Sequence, residues 1–281
     1  MELPFQIDLS EKVIVITGAG GVLCSEFAIA LAKCHAKVAL LDINTFKINE
    51  LANTIHDFGG VAIAYQCNVL NKKNLENVRE QIEQDFGKCS ILINGAGGNH
   101  PRATTDDEWF NSEESKDIKT FFDLDMEGIE FVFLLNYMGT LLPTQVFAQS
   151  MIGQSHCSII NISSMNALTP LTKIPAYSGA KAAISNLTQW LAVYFSKVGI
   201  RCNAIAPGFF VTKQNEKLLF DEEGGFTSRA EKIIRNTPLS RFGQAEELTG
   251  ALLFLVDYKA SSFVNGVVIP VDGGFSAYSG V

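Results

Sequence analysis

The stretch Val13-Ile14-Val15-Ile16-Thr17-Gly18-Ala19-Gly20-Gly21-Val22-Leu23-Cys24-Ser25 decides the fold. Its β-branched opening makes a strand that can be buried on both faces. Glycines at 18, 20 and 21 then let the chain turn sharply and leave backbone N–H groups bare. A helical pattern follows at once, so the positive end of a helix dipole faces whatever sits above the turn. A pyrophosphate fits that environment. A tight turn with no ligand would use the same residues, so the surrounding sequence has to decide.

Working outward, short apolar runs recur at Val38-Ala39-Leu40-Leu41, Val61-Ala62-Ile63-Ala64, Ile91-Leu92-Ile93, Ile159-Ile160-Asn161-Ile162, Cys202-Asn203-Ala204-Ile205 and Val267-Val268-Ile269. Segments of helical period separate them. Leu75, Val78, Ile82 and Phe86 form one stripe that stops at Gly87, and Leu51, Ile55 and Phe58 form another that stops at Gly59-Gly60. Strand and helix in alternation predict right-handed crossovers and an α/β fold: a Rossmann-type doubly wound parallel sheet in a single domain, residues 1–281. Two polar stretches break the rhythm, an inserted loop region at 99–126 and a second at 209–237, and both are expected to border a ligand.

With 47% hydrophobic residues in 281, the chain can bury one large core. Its 22 basic and 30 acidic residues leave a net charge of −8 with no block of like charge, which argues against nucleic acid as a partner. No apolar run reads as a membrane span, and Met1-Glu2-Leu3-Pro4 does not read as a signal peptide, so a cytoplasmic protein is expected. The six cysteines have no metal-site or redox-pair spacing and are expected to be reduced core residues, with no metal bound.

Asp42 closes the second strand, where a carboxylate can accept hydrogen bonds from an adenosine ribose and would repel a 2′-phosphate; this predicts NAD rather than NADP. An Asp capping the next helix is the alternative. Tyr177 and Lys181 lie four residues apart, on one face of a helix, and the ammonium is expected to lower the phenol's pKa toward a working general acid/base. Ser163 and Ser164 end the preceding strand, and Asn136 lies in a long apolar helical pattern where an unpaired amide would be costly.

These motifs, in this order, resemble the short-chain dehydrogenase/reductase family over essentially the whole chain: Thr17-Gly18 and its glycine turn, Asn68-Val69, Asn94-Gly95-Ala96-Gly97, Asn136, Ser164, Tyr177 with Lys181, Pro207-Gly208 with Thr212, and Val271-Asp272-Gly273-Gly274. The resemblance implies that Ser164 holds the substrate oxygen, Tyr177 transfers its proton, Lys181 tunes Tyr177 and holds the nicotinamide ribose, and Asn136 anchors a water chain to Lys181. It further implies a cofactor surface made of Gly18, Gly20, Gly21, Val22, Leu23, Asn94, Gly95, Ala96 and Gly97, with Asn68 and Val69 at the adenine and Pro207, Gly208, Phe210 and Thr212 at the nicotinamide end. A homotetramer is implied as well, with helices near 127–150 and 176–197 packed across a dyad. The family's later two glycines are Val22 and Cys24 here, and its usual Asp is Asn68. Val22 can begin a helix and Cys24 is small, so a reshaped pocket that still takes the dinucleotide is expected.

Within the family the chain is similar to enzymes that exchange a hydride between NAD(H) and a sugar acid, implying D-fructuronate and NADH as substrates and D-mannonate and NAD as products. Arg102 and Lys173 are candidate partners for the sugar-acid carboxylate, and His100 and Asn166 for its hydroxyls. Lys213 and Asn215, after Thr212, are weaker candidates. The alternatives are another sugar-acid or polyol dehydrogenase, gluconate 5-dehydrogenase-like, or a catalytically silent dinucleotide-binding protein.

Overall fold

The computed structural model describes residues 7–113, 117–211, 219–221 and 223–280. Its centre is a parallel sheet in the order β3-β2-β1-β4-β5-β6-β7. The strands are β1 (Val13–Thr17), β2 (Lys37–Asp42), β3 (Val61–Gln66), β4 (Ile91–Asn94), β5 (Cys157–Ile162), β6 (Ile200–Pro207) and β7 (Val268–Val271). Each of the seven apolar runs in the sequence lies within or across one of these strands. Between them run α1 (Val22–Lys33), α2 (Thr45–Asp57), α3 (Lys72–Asp85), α4 (Met126–Phe133), α5 (Gly139–Met151), α6 (Pro175–Tyr194), α7 (Ser228–Arg235) and α8 (Thr249–Val256).

The two-residue period of β1 sorts the core into layers. Ile14 and Ile16 pack with Phe27 and Leu31 of α1, Ile48 and Ile55 of α2, and Leu252 and Leu255 of α8. Val13 and Val15 point the other way, toward Leu75 and Ile82 of α3, Phe147 of α5 and Leu191 of α6. Asn44 and Asn71 cap α2 and α3 by accepting from the backbone N–H of Lys47 and Asn74. Because β1 pairs with β2 on one side and β4 on the other, the crossovers diverge at its carboxyl end and leave a crevice there.

Two features depart from the sequence reading. The long helix is interrupted: residues Leu134–Met138 form a π turn between α4 and α5, centred on Asn136. Counted through that turn, Met126–Met151 is long and apolar enough to cross a membrane by length and composition, contrary to expectation. Half of its most apolar window is buried inside the protein, where α5 packs on α3 and β4. All six cysteines are free, and only Cys34 is not fully buried.

Candidate functional site

The crevice at the β1/β4 divergence is a cleft of about 340 Å³. One end is formed by the glycine turn and the start of α1. Gly21 caps that helix with no side-chain hydrogen bond, so the first N–H groups of Val22 and Leu23 stay open to a ligand. Val22 is the first helical residue, as expected. Gly18 has φ of +66°, and a Cβ there would lie 2.8 Å from the backbone of Ala96, so the backbones of this turn and the one after β4 approach closely. Thr17 fastens the same junction: its Oγ1 accepts from the N–H groups of Gly95 and Ala96 at 3.1 and 3.3 Å.

Cys24 takes the place of the family's third glycine, and Gly95 makes the room. A Cβ on Gly95 would stand 2.1 Å from the Cys24 sulfur. Burial pushes the Cys24 thiol up to about 12, with nearby Lys181 pulling the other way, so it stays a neutral packing group. Asp42 sits beside the turn, where its Oδ2 accepts from Gly20 N–H at 3.0 Å and its Oδ1 from Asn44 N–H at 2.9 Å. The bare helix end, the closely packed glycines and this acid fit a dinucleotide pyrophosphate with an adenosine ribose beyond it. Asp42, Asn68 and Val69 lie at the same edge of the sheet but outside the cleft wall. Asn94 faces the core, its amide donating to Thr144 and Asn161 at 2.9 and 2.8 Å, so only its backbone borders the crevice.

The other end of the cleft gathers Ser164, Tyr177 and Lys181. Lys181 is buried, and its Nζ donates to the carbonyl of Ile162, the last residue of β5, at 2.8 Å. Ser163 ties the same strand end to α6 by donating to the Lys181 carbonyl at 3.2 Å. Asn136 is fully buried; its Nδ2 donates to the carbonyls of Gly98 (2.7 Å) and Val132 (2.8 Å), and its Oδ1 accepts from Gly98 N–H (3.2 Å). A Cβ on Gly97 would meet Asn136 Oδ1 at 2.6 Å and Lys181 Nζ at 3.3 Å, so Gly97 lets the amide and the ammonium flank one gap. The Thr140 hydroxyl donates to the Asn136 carbonyl at 2.9 Å.

The Tyr177 phenol is not lowered by its neighbour as the sequence led us to expect. Burial pushes it up to about 12, opposed by a hydrogen bond with Ser164, and no direct lowering by Lys181 is present. Burial also pushes the Lys181 ammonium down to about 8, and its Nζ is turned to the Ile162 carbonyl. Its Nζ lies 5.6 Å from the Tyr177 ring centre.

Of the substrate candidates, Asn166 is buried beside Ser164, donating its N–H to Ser164 Oγ at 3.2 Å while its own Oδ1 has no partner among the described residues. His100 caps its loop, its Nδ1 accepting from Arg102 N–H at 3.2 Å, and packs against Phe131. Arg102 is held by Asp125 and Glu127 at 2.7 and 2.8 Å and lies outside the cleft wall. Lys173 has φ of +72° and donates to the Asp106 carbonyl at 2.7 Å. Thr212, Lys213 and Asn215 lie outside the described residues. Sequence reasoning passed over Gly98 and Phe209. The partner of Gly98 is 38 residues away, and Phe209 is one more apolar residue in a loop; both border the cleft.

The short chain dehydrogenase family pattern matches residues 12–223, and the chain belongs to that family. It is 65% identical over 281 residues, covering all of this chain and 99% of the other, to an uncharacterized oxidoreductase of Haemophilus influenzae. A Haemophilus influenzae crystal structure with bound NAD, provisionally named a D-mannonate oxidoreductase, superposes with a TM-score of 0.96 at 65% identity over the full length of both chains. A gluconate 5-dehydrogenase from Burkholderia cenocepacia, in complex with NADP and tartrate, superposes with a TM-score of 0.84 at 28% identity over 98% of each chain. The protein is an oxidoreductase with the family's dinucleotide-binding fold.

Proposed function

We propose that the protein reduces D-fructuronate to D-mannonate with NADH, and runs the reverse reaction with NAD. The observation that carries the reaction class is the convergence of Ser164, Tyr177 and Lys181 at one end of a cleft whose other end is an uncapped helix start. NAD(H) supplies or accepts the hydride at its nicotinamide ring. In the reducing direction Ser164 Oγ holds the substrate carbonyl oxygen and Tyr177 gives that oxygen its proton, so the ketone becomes an alcohol. Lys181 returns the proton that Tyr177 gives up, supplied through water that Asn136 anchors beside it at Gly97. A phenol that stays protonated at neutral pH suits a proton donor to a developing alkoxide.

Asp42 supports NAD over NADP, because an acid already beside the turn would face a 2′-phosphate. The Haemophilus influenzae structure with bound NAD supports the same choice and the sugar-acid substrate. The gluconate 5-dehydrogenase from Burkholderia cenocepacia was solved with NADP, and its likeness favours the second reading, an oxidoreductase of another sugar acid. The exposed apolar residues Trp190, Val193 and Tyr194 lie on α6, whose groove of about 510 Å³ against α5 is lined by Trp190 and Tyr194; this supports a homotetramer built across these helices.

The test is NADH oxidation followed at 340 nm with D-fructuronate, alongside NADPH and a panel of neutral ketoses and other ketoacids. Selective turnover of D-fructuronate with NADH is expected. A preference for a neutral ketose or for NADPH would overturn the substrate or the cofactor reading. Tyr177→Phe is expected to bind NADH and lose about 10²- to 10⁴-fold in kcat, the usual effect of a positioned acid; unchanged turnover would sink its role.

A further inference from the structure

A second cavity, of about 560 Å³, adjoins the cleft at Phe209, which lines both. It is lined by Thr169 to Lys173, on the segment that leads from Ser164 toward Tyr177, and by residues of α7. Trp109 and Phe275 also line it, and Phe275 packs edge-on to Phe209 at 5.3 Å. The charges inside are unequal. Lys232 forms an ion pair with Glu108, which cancels both. Lys173 donates to a backbone carbonyl and keeps its charge uncompensated. Arg229 has no hydrogen bond or ion pair among the described residues. An exposed guanidinium that lines a cavity joined to the cleft through Phe209 can receive an anion.

We propose that this cavity is the subsite for the carboxylate of the sugar acid, with Arg229 as its ion-pair partner and Lys173 as a second positive charge. The inference rests on the proposed sugar-acid reaction and deepens it. In D-fructuronate the carboxylate stands at the opposite end of the carbon chain from the carbonyl that is reduced. Its cationic partner therefore belongs in a space beside the cleft rather than against Ser164 and Tyr177. Arg102, the sequence's first candidate, is already matched by two carboxylates and is absent from this wall.

Binding and turnover separate this inference from the reaction it rests on. The first arm titrates the NADH-loaded protein, which has no oxidant for D-mannonate, with D-mannonate and with neutral D-mannitol, following tryptophan emission. Only two tryptophans exist, and Trp190 lies in the α5/α6 groove, so a change near this cavity reports Trp109. D-Mannonate is expected to bind and D-mannitol to bind far more weakly. Arg229→Gln is expected to weaken D-mannonate about tenfold or more, the contribution of one charge-assisted pair, and Arg229→Lys to recover part of the loss. The second arm measures D-fructuronate reduction, where Arg229→Gln should raise KM by a similar factor with a much smaller effect on kcat. NADH titration of each variant reports that the fold is intact. D-Mannonate affinity within about twofold of wild type in Arg229→Gln, or equal affinity for D-mannitol, overturns the subsite. Binding that depends on Arg229 without turnover of D-fructuronate would instead strike the proposed reaction and leave the subsite standing.

Discussion

Gly95→Ala tests whether the exchange of glycine and cysteine at the first turn sets its spacing. The new methyl would lie 2.1 Å from the Cys24 sulfur and 2.9 Å from the Thr17 carbonyl oxygen. Neither neighbour yields easily, since the thiol is buried and the carbonyl belongs to β1. Overpacking of this kind costs about 1–3 kcal/mol, and two rigid neighbours put the expectation near ~3. For a chain of this size each kcal/mol lowers Tm by about 2–4 °C, so a drop of about 6–12 °C is expected. Cys24→Ala removes the sulfur and leaves the Cys24 Cβ position at 3.7 Å, an ordinary contact. In that background Gly95→Ala keeps only its conflict with Thr17, which predicts a coupling of about 1–2 kcal/mol between the two sites. Thermal and urea denaturation of the four proteins, at one concentration and buffer, measures it. Effects that add within about 0.5 kcal/mol would refute the reasoning, because the sulfur would then not be what the glycine accommodates.

Three further outcomes follow from the same geometry. Gly18→Ala forces an alanine to φ of +66° and a methyl to 2.8 Å from the Ala96 backbone; a stability loss of about 1–2 kcal/mol or more and weaker NADH binding are expected by denaturation and fluorescence titration. Asp42→Ser should raise the ratio of kcat/KM with NADPH to that with NADH by about tenfold or more, and an unchanged ratio would remove Asp42 from cofactor choice. Lys181 carries a pH signature: its ordinary value is 10.5 and burial pushes it to about 8, so between those values the unfolded chain holds a proton that the folded one has released. Unfolding free energy should therefore rise through that window, the cost of the buried charge being full below about 8 and relieved toward 10.5. Lys181→Met should flatten the rise, read as the difference between wild type and variant from about pH 7.5 to about pH 10, and parallel curves would contradict it.

What the sequence made legible is what depends on neighbours close along the chain. Strands at 13–17 and 91–94 were readable because burial on both faces leaves unbroken β-branched runs. The Tyr177 and Lys181 pair was readable because one helical turn relates them. What stayed hidden depends on contacts between distant segments. The π turn at 134–138 is a shift of backbone hydrogen bonds around an amide whose partner, Gly98, arrives from the turn after β4. Arg102 looked like a clamp until Asp125 and Glu127 folded back onto it from the start of α4. The environments of both cations share that origin. A cation read from sequence has no partner, whereas in the fold Arg102 is neutralised by acids and Lys181 is weakened by burial. Arg229, which the sequence did not mark, keeps its charge unmatched among the described residues and lies beside the cleft. The cation proposed to meet the anionic substrate is one that the described fold leaves unpaired.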